Sequence, residues 1–448
     1  MRTSTIRATM APGSRRARSQ RRRTSMIATF ACAMSLFALS ALSALSAQTI
    51  AITGGKVYPV SGPPIENGTV LIRDGRIAAV GSNVSIPQGA QRVDAGGKWV
   101  TPGLVNSFTS IGLVEVGFGA DANDSRATAP DHVAAAFQSW EGINPHSVYL
   151  RPASEDGITT AVSAPSGGLI AGQASLIDLL TGSTQQGMLV KAPIAMLGQL
   201  GNSQAAGAGA RAQAVGKLRQ LLDDTKFYAS HKSDYSRGQS RALSADRVDL
   251  EAMIPVVEGR LPLLVVAQRS SDIRTALDIA KDYGIRIIIG GGAEAWMVAD
   301  ALASAKVPVL TGAMNNIPNS FAELGSRQDN AAILRKAGVE VALIGNGGGD
   351  EELFNVRNIR YEAGNAVGYG MSWDDALRSV TLAPAQIFGV ADKVGSLRPG
   401  SEANVVVWDG DPFEFATRAT QVYIRGQLQT GPSRQDLLVQ RYMTLPPK

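Results

Sequence analysis

The chain has 448 residues, too many for one small core, and with 44% hydrophobic and 18% charged residues it is not a disordered polymer. Its formal net charge of +5 comes from the first 47 residues, which hold eight arginines and no acid; taking those eight from 43 basic residues leaves 35 against 38 acidic ones. The body of the protein is slightly acidic, which excludes nucleic-acid binding by bulk charge.

The first segment, residues 1–47, reads as a secretory signal. A basic stretch ending Arg21-Arg22-Arg23 precedes an apolar run from Met26 to Ala47, and the small Ala47 precedes Gln48. The run is long enough to span a bilayer, but its serines and alanines suit a cleaved segment better than a permanent membrane span. Cys32, the single cysteine, lies inside this leader. The remainder then forms no disulfide and holds no cysteine-bound metal, which suits an oxidising compartment. A periplasmic or secreted location is therefore expected.

Residues 50–100 read as short strands with turns. Thr69-Val70-Leu71-Ile72, then Asp74-Gly75, then Arg76-Ile77-Ala78-Ala79-Val80 is a hairpin signal. The same grammar returns at Ala403–Gly410 and Gln421–Gly426. Between these β segments, apolar runs appear at Thr160–Ser163, Pro193–Leu197, Leu263–Ala267, Arg286–Gly290, Val307–Leu310 and Val341–Ile344. Helical stretches such as Ser271–Tyr283 and Asp329–Ala337 separate several of them, and a helix from Asp374 is expected to end near Pro384. Strands alternating with helices imply parallel βαβ units, hence a barrel or a doubly wound sheet. No Gly-x-Gly-x-x-Gly opens a helix after the first strand, so a dinucleotide fold lacks its fingerprint.

Several of these segments, in order, resemble the amidohydrolase family, and exported imidazolonepropionase-like members in particular. Val57–Gly81 followed by Trp99-Val100-Thr101-Pro102-Gly103-Leu104-Val105 is similar to its N-terminal sandwich running into the first barrel strand. Ile143-Asn144-Pro145 and Gly157-Ile158-Thr159-Thr160 resemble early barrel segments. Leu382–Ala385, Val394–Gly400 and Ala403–Val407 resemble the return to the sandwich. The resemblance implies a (β/α)8 TIM-like barrel with a small β-sandwich built from both N- and C-terminal segments. The expected organisation is residues 48–100 plus 391–430 as sandwich, 101–390 as barrel and 431–448 as tail.

The family's chemistry needs histidines and an aspartate at strand ends. They hold one or two zinc or similar divalent ions, which lower the pKa of bound water to about 7 and polarise the scissile carbonyl. This sequence departs at each aligned position. The two histidines that end the first strand become Phe108 and Ser110; the pair in the Pro262–Arg269 segment becomes Val266 and Gln268; the histidine before Gly-x-Glu becomes Gly291; and the aspartate becomes Asn346. Gln199 stands where some relatives carry a bridging acid. Phe, Val and Gly offer no ligand atom, Ser and Gln are weak neutral donors, and Asn is no base. No metal cofactor is expected, and Phe108 is expected to point into a mouth more apolar than that of active relatives.

The three histidines, His132, His146 and His231, lie outside these positions and read as loop or surface residues. Arg269, Glu294, Asn315, Asn316 and Asp350 follow apolar runs at the presumed mouth, where strand C-terminal ends build sites in barrels. They are candidates for a polar pocket, and equally for structural pairing. Asp350-Glu351-Glu352 suits the N-terminal dipole of a following helix. Three readings follow: a degenerate homologue that binds a small molecule or supports a partner, as homo-oligomer or beside an active amidohydrolase; a working hydrolase of non-peptide C–N bonds or dipeptides with a relocated centre; and a plain solute-binding module. The absent ligand set favours the first.

Overall fold

A computed structural model describes residues 49–115, 122–127, 129–201, 209–314, 318, 320–345 and 356–443. The leader, Asn315, Asn316, Asn346 and Asp350 lie outside the described residues. Among the described residues no helix is long and apolar enough to cross a membrane.

Two sheets organise the described residues. In the first, β1 (Thr49–Val57) pairs antiparallel with β2 (Ile65–Arg73), which pairs with β3 (Arg76–Gly81). β1 also runs parallel to β4 (Gln91–Asp94) and β5 (Trp99–Pro102). The C-terminal strands β14 (Val405–Trp408), β15 (Ala419–Ile424) and β16 (Gln427–Leu428) join this sheet through β5, with Val407 opposite Val100. The two ends of the chain thus build one composite unit around Ile50, Ile72, Val100, Val405 and Val407. Its register is set by two tight turns. Asp74 and Gly75 have φ of 53° and 74°, Arg425 and Gly426 49° and 73°, the twist of two-residue hairpins. The turns sit back to back: a Cβ added at Gly75 would lie 2.7 Å from the Arg425 carbonyl oxygen.

The second sheet has eight strands in chain order: β6 (Leu104–Thr109), β7 (Ile158–Ser163), β8 (Ile170–Asp178), β9 (Leu189–Gln199), β10 (Leu263–Ala267), β11 (Ile287–Gly291), β12 (Val309–Thr311) and β13 (Val341–Leu343). It is the TIM-like barrel sheet. Alternate residues divide between its two sides. Val105, Val162, Leu176, Leu197, Leu264, Ile288, Leu310 and Ala342, one from each strand, share an interior core. Leu263, Val265, Ile287, Ile289 and Val341 belong instead to the larger core beneath the helices. Helices Arg211–Ser230, Arg247–Val257, Ser270–Tyr283, Ala299–Ala305, Asn330–Lys336 and Ile359–Gly368 follow the later strands.

Two features differ from the sequence expectation. β8 runs antiparallel to both β7 and β9, and no apolar run marks it, because Gly172, Gln173 and Ser175 interrupt it. The region from Asp374 holds two helices, Trp373–Ser379 and Leu382–Ile387. Pro384 lies in the first turn of the second, where a missing N–H costs no hydrogen bond. Ile387 at the end of that helix, and Phe388, Val390 and Val394 beyond it, pack onto the interior core.

Candidate ligand site at the barrel mouth

The C-terminal ends of β6, β10 and β11 bring most of the expected positions together. Phe108, next to a register shift in β6, packs against the interior core, and so does Val266 of β10, two residues on from Leu264. Both side chains therefore lie on the barrel's inner side. Asn106 steadies the end of β6: its buried Nδ2 donates to the Val356 carbonyl at 3.1 Å and its Oδ1 accepts from the Phe108 N–H. Ser110 Oγ donates to the Ala164 carbonyl at 3.4 Å, across to the segment after β7.

Gln268 and Gly291 interlock. The Gln268 Oε1 accepts from the Ala293 N–H at 3.1 Å and its carbonyl accepts from the Glu294 N–H at 2.9 Å. This draws the carboxamide across Gly291. A Cβ built on Gly291 would lie 2.6 Å from both Nε2 and Oε1 of Gln268, and the glycine has φ of 82°. A side chain at 291 would have to displace the Gln268 carboxamide and hold a backbone conformation that L residues rarely adopt.

The charged candidates are engaged in holding the rim. Glu294 Oε2 accepts from the Ser270 N–H at 2.9 Å and from Ser270 Oγ at 3.2 Å, and its Oε1 accepts from the Gly325 N–H at 3.2 Å. It caps helix Ser270–Tyr283 from outside that helix. Arg269 Nη2 donates to the Phe321 carbonyl at 3.4 Å. Asp272, in the same helix, pairs with Arg211 at 3.2 Å; burial pushes its carboxyl up, and the guanidinium opposes that. Another acid near these strand ends, Glu362, is fully buried. Glu362 Oε2 accepts from the N–H groups of Ala313 at 2.7 Å and Met314 at 3.0 Å, fixing the chain just beyond β12. Nothing in the helical stretch around it marks it out.

These residues do not fit the metal that the fold family implies. At the described positions the side chains are a phenyl ring, an isopropyl group, a hydroxyl, a carboxamide already fixed by a backbone N–H, and a hydrogen atom. Among the described residues no group of three or more His, Cys, Asp or Glu could hold a metal ion. The histidines are elsewhere: His231 Nδ1 lies 2.9 Å from the Phe227 carbonyl, with its ring stacked on Phe227. His132 has φ of 62°, and its carbonyl accepts from the Leu169 N–H at 2.8 Å.

A barrel joined to a sheet shared by both chain ends is the architecture of the amidohydrolases, and the comparisons agree. The Amidohydrolase family model matches residues 270–429. Amidohydrolase tasK of Hapsidospora irregularis is 23% identical over 81% of this chain, which spans 40% of that protein's length. The 5-methylthioadenosine/S-adenosylhomocysteine deaminase of Symbiobacterium thermophilum is 24% identical, covering 81% of this chain and 86% of the enzyme. The imidazolonepropionase of Mesorhizobium japonicum is 25% identical, covering 79% and 89%. Among solved structures, an amidohydrolase from Thermotoga maritima superposes with a TM-score of 0.76 at 28% identity, covering 85% of this chain and 99% of that one. The chain belongs to the amidohydrolase superfamily.

Proposed function

We propose that this chain is an exported amidohydrolase-fold protein whose metal centre has been dismantled and whose barrel is kept to bind a small molecule or to support an active relative. The observation that carries this reading is the locked pair Gln268–Gly291 beside inward-facing Phe108 and Val266. The mouth is repacked, not merely stripped of its ligands. Glu294 supports the same reading, since both its oxygens accept from backbone N–H groups and neither is poised as a base. Elemental analysis of the purified chain, prepared without chelators, tests it. Well under one transition-metal ion per chain is expected, with no hydrolysis of cyclic amides, N-acyl amino acids or dipeptides when zinc is added.

A second reading keeps the chain an enzyme of non-peptide C–N bonds, or of dipeptides, with a relocated centre. Its support is the company of relatives named as a deaminase and an imidazolonepropionase. Turnover by the isolated chain that disappears in Asp350→Asn, or one bound zinc per chain, would replace the first reading with this one. In that event Asn346 and Asp350 are the positions to examine first. An active partner is the expectation of the first reading, checked by co-purification with an amidohydrolase that retains its histidines.

A further inference from the structure

The opposite end of the barrel carries a second feature. Between the first residues of β11, the start of β12 and the helices that precede them lies an open cleft of about 560 Å³. Ile287, Pro308 and Ile387 give it an apolar floor, and Lys281, Arg286 and Lys306 stand around it. Lys281, Arg286 and Lys306 have no ion pair among the described residues. Their neighbours differ. Glu340, the acid that lines the cleft, is taken by Arg378 at 2.9 Å and Arg335 at 3.4 Å. Lys393 donates to the Val190 carbonyl at 3.0 Å, and Lys191 to the carbonyls of Phe388 at 3.0 Å and Gly389 at 3.3 Å. Three cations around one cavity whose lining carboxylate, Glu340, is already paired with Arg378 and Arg335 leave a local positive potential.

We propose that this cleft binds a small organic phosphate, a monoester of an aromatic or other apolar group. Arg286 and Lys306 hold the phosphate, and the Ile287–Ile387 floor takes the apolar part. A guanidinium offers the fork of donors that matches phosphate oxygens, and ammonium groups add charge. The cavity has the size of small-molecule sites and is too small for a nucleic-acid duplex. The effect of Arg286 on its neighbour fits: Lys191 is pushed below its ordinary value first by burial and then by Arg286, with Asp392 opposing. An anion in the cleft relieves that repulsion. The site is separate from the mouth and stands whether or not the mouth is catalytic.

Calorimetric titration of the purified chain with 1-naphthyl phosphate, at low and at moderate salt, tests the proposal. One site per chain is expected, weakening as salt rises. Arg286→Ala/Lys306→Ala should weaken binding by about tenfold or more, a loss of the size of one charge-assisted contact. The pair Arg73→Ala/Arg92→Ala removes the same charge from exposed positions of the composite sheet and should leave binding unchanged. Inorganic phosphate should bind more weakly than the ester, and 1-naphthol should not bind. No binding at about 5 mM ester, a weakness even for a fragment-sized ligand, overturns the proposal. So does an equal loss in both double variants, which indicates attraction to overall charge, or inorganic phosphate binding as tightly as the ester, which removes the apolar subsite. Circular dichroism melts of each variant separate lost binding from lost folding.

Discussion

At the scale of single residues, the decisive pair is Gln268 and Gly291. A ligand histidine at position 291 would have to displace the Gln268 carboxamide, which lies 2.6 Å from the Cβ position, and hold the strained φ of 82°. Gly291→Ala should therefore cost about 1–3 kcal/mol, the sum of a left-handed alanine and an overpacked contact. Urea denaturation of Gly291→Ala and of Gly291→Ala/Gln268→Ala separates the two. The double variant should recover the steric part and keep the backbone part. If Gly291→Ala is as stable as the parent, the interlock is not what fills the mouth. Phe108 has a different logic. It extends the interior core of Val105 and Val162 toward the mouth, so an apolar residue here has a packing reason of its own.

At the scale of elements, Glu294 belongs to one segment and serves another. Helix Ser270–Tyr283 begins without a side-chain cap of its own, and the carboxylate that meets its first N–H arrives from beyond β11. An acid there satisfies a donor that the helix leaves open and opposes the positive end of its dipole. Its other oxygen holds Gly325 in the segment after β12. Glu294→Ala should lower stability by about 1–3 kcal/mol, through the lost cap and the half-buried donors left unpaired. Hydrogen exchange is the readout: faster exchange should be confined to the first turn of this helix and the Gly325 segment. A uniform rise across the chain would show that the residue does not act as a local brace.

For the molecule as a whole, the joint between barrel and composite sheet rests on a buried ionic cluster. Asp178 at the end of β8 is fully buried and accepts from Thr160 Oγ1 at 2.8 Å, Asn404 Nδ2 at 2.9 Å and Arg425 Nε at 2.6 Å. Glu402 lies beside it, 3.4 Å from the same Arg425 nitrogen. The Glu402 carboxyl is pushed up by burial first and by the Asp178 charge next, with Arg425 opposing. The folded chain therefore holds this proton more tightly than the unfolded chain. That contribution to stability is fully present below the ordinary glutamate range and is lost as pH rises through the raised folded value. Glu402→Gln keeps the shape and removes the titration. The melting temperature of Glu402→Gln relative to the parent should rise from pH 5 to pH 8. A difference that stays flat with pH would mean that Glu402 is not the titrating group.

The sequence alone determined the composite sheet, because alternating apolar residues and an Asp-Gly turn act over a few positions and carry their register with them. It also determined which side chains the mouth has to work with, since Phe, Val and Gly have no ligand atom in any fold. What it did not hold is which distant groups meet. Antiparallel β8 is marked by no local pattern, and it forms because β7 and β9 flank it on both sides. Gln268 lying over Gly291, Glu294 capping a helix 24 residues earlier, Glu362 holding the chain after β12, and Asp178 meeting Arg425 across 247 positions are all contacts between segments remote in sequence. Only the folded tertiary structure brings them within hydrogen-bond reach. There the burial that makes an unpaired polar group costly selects the partner that satisfies it.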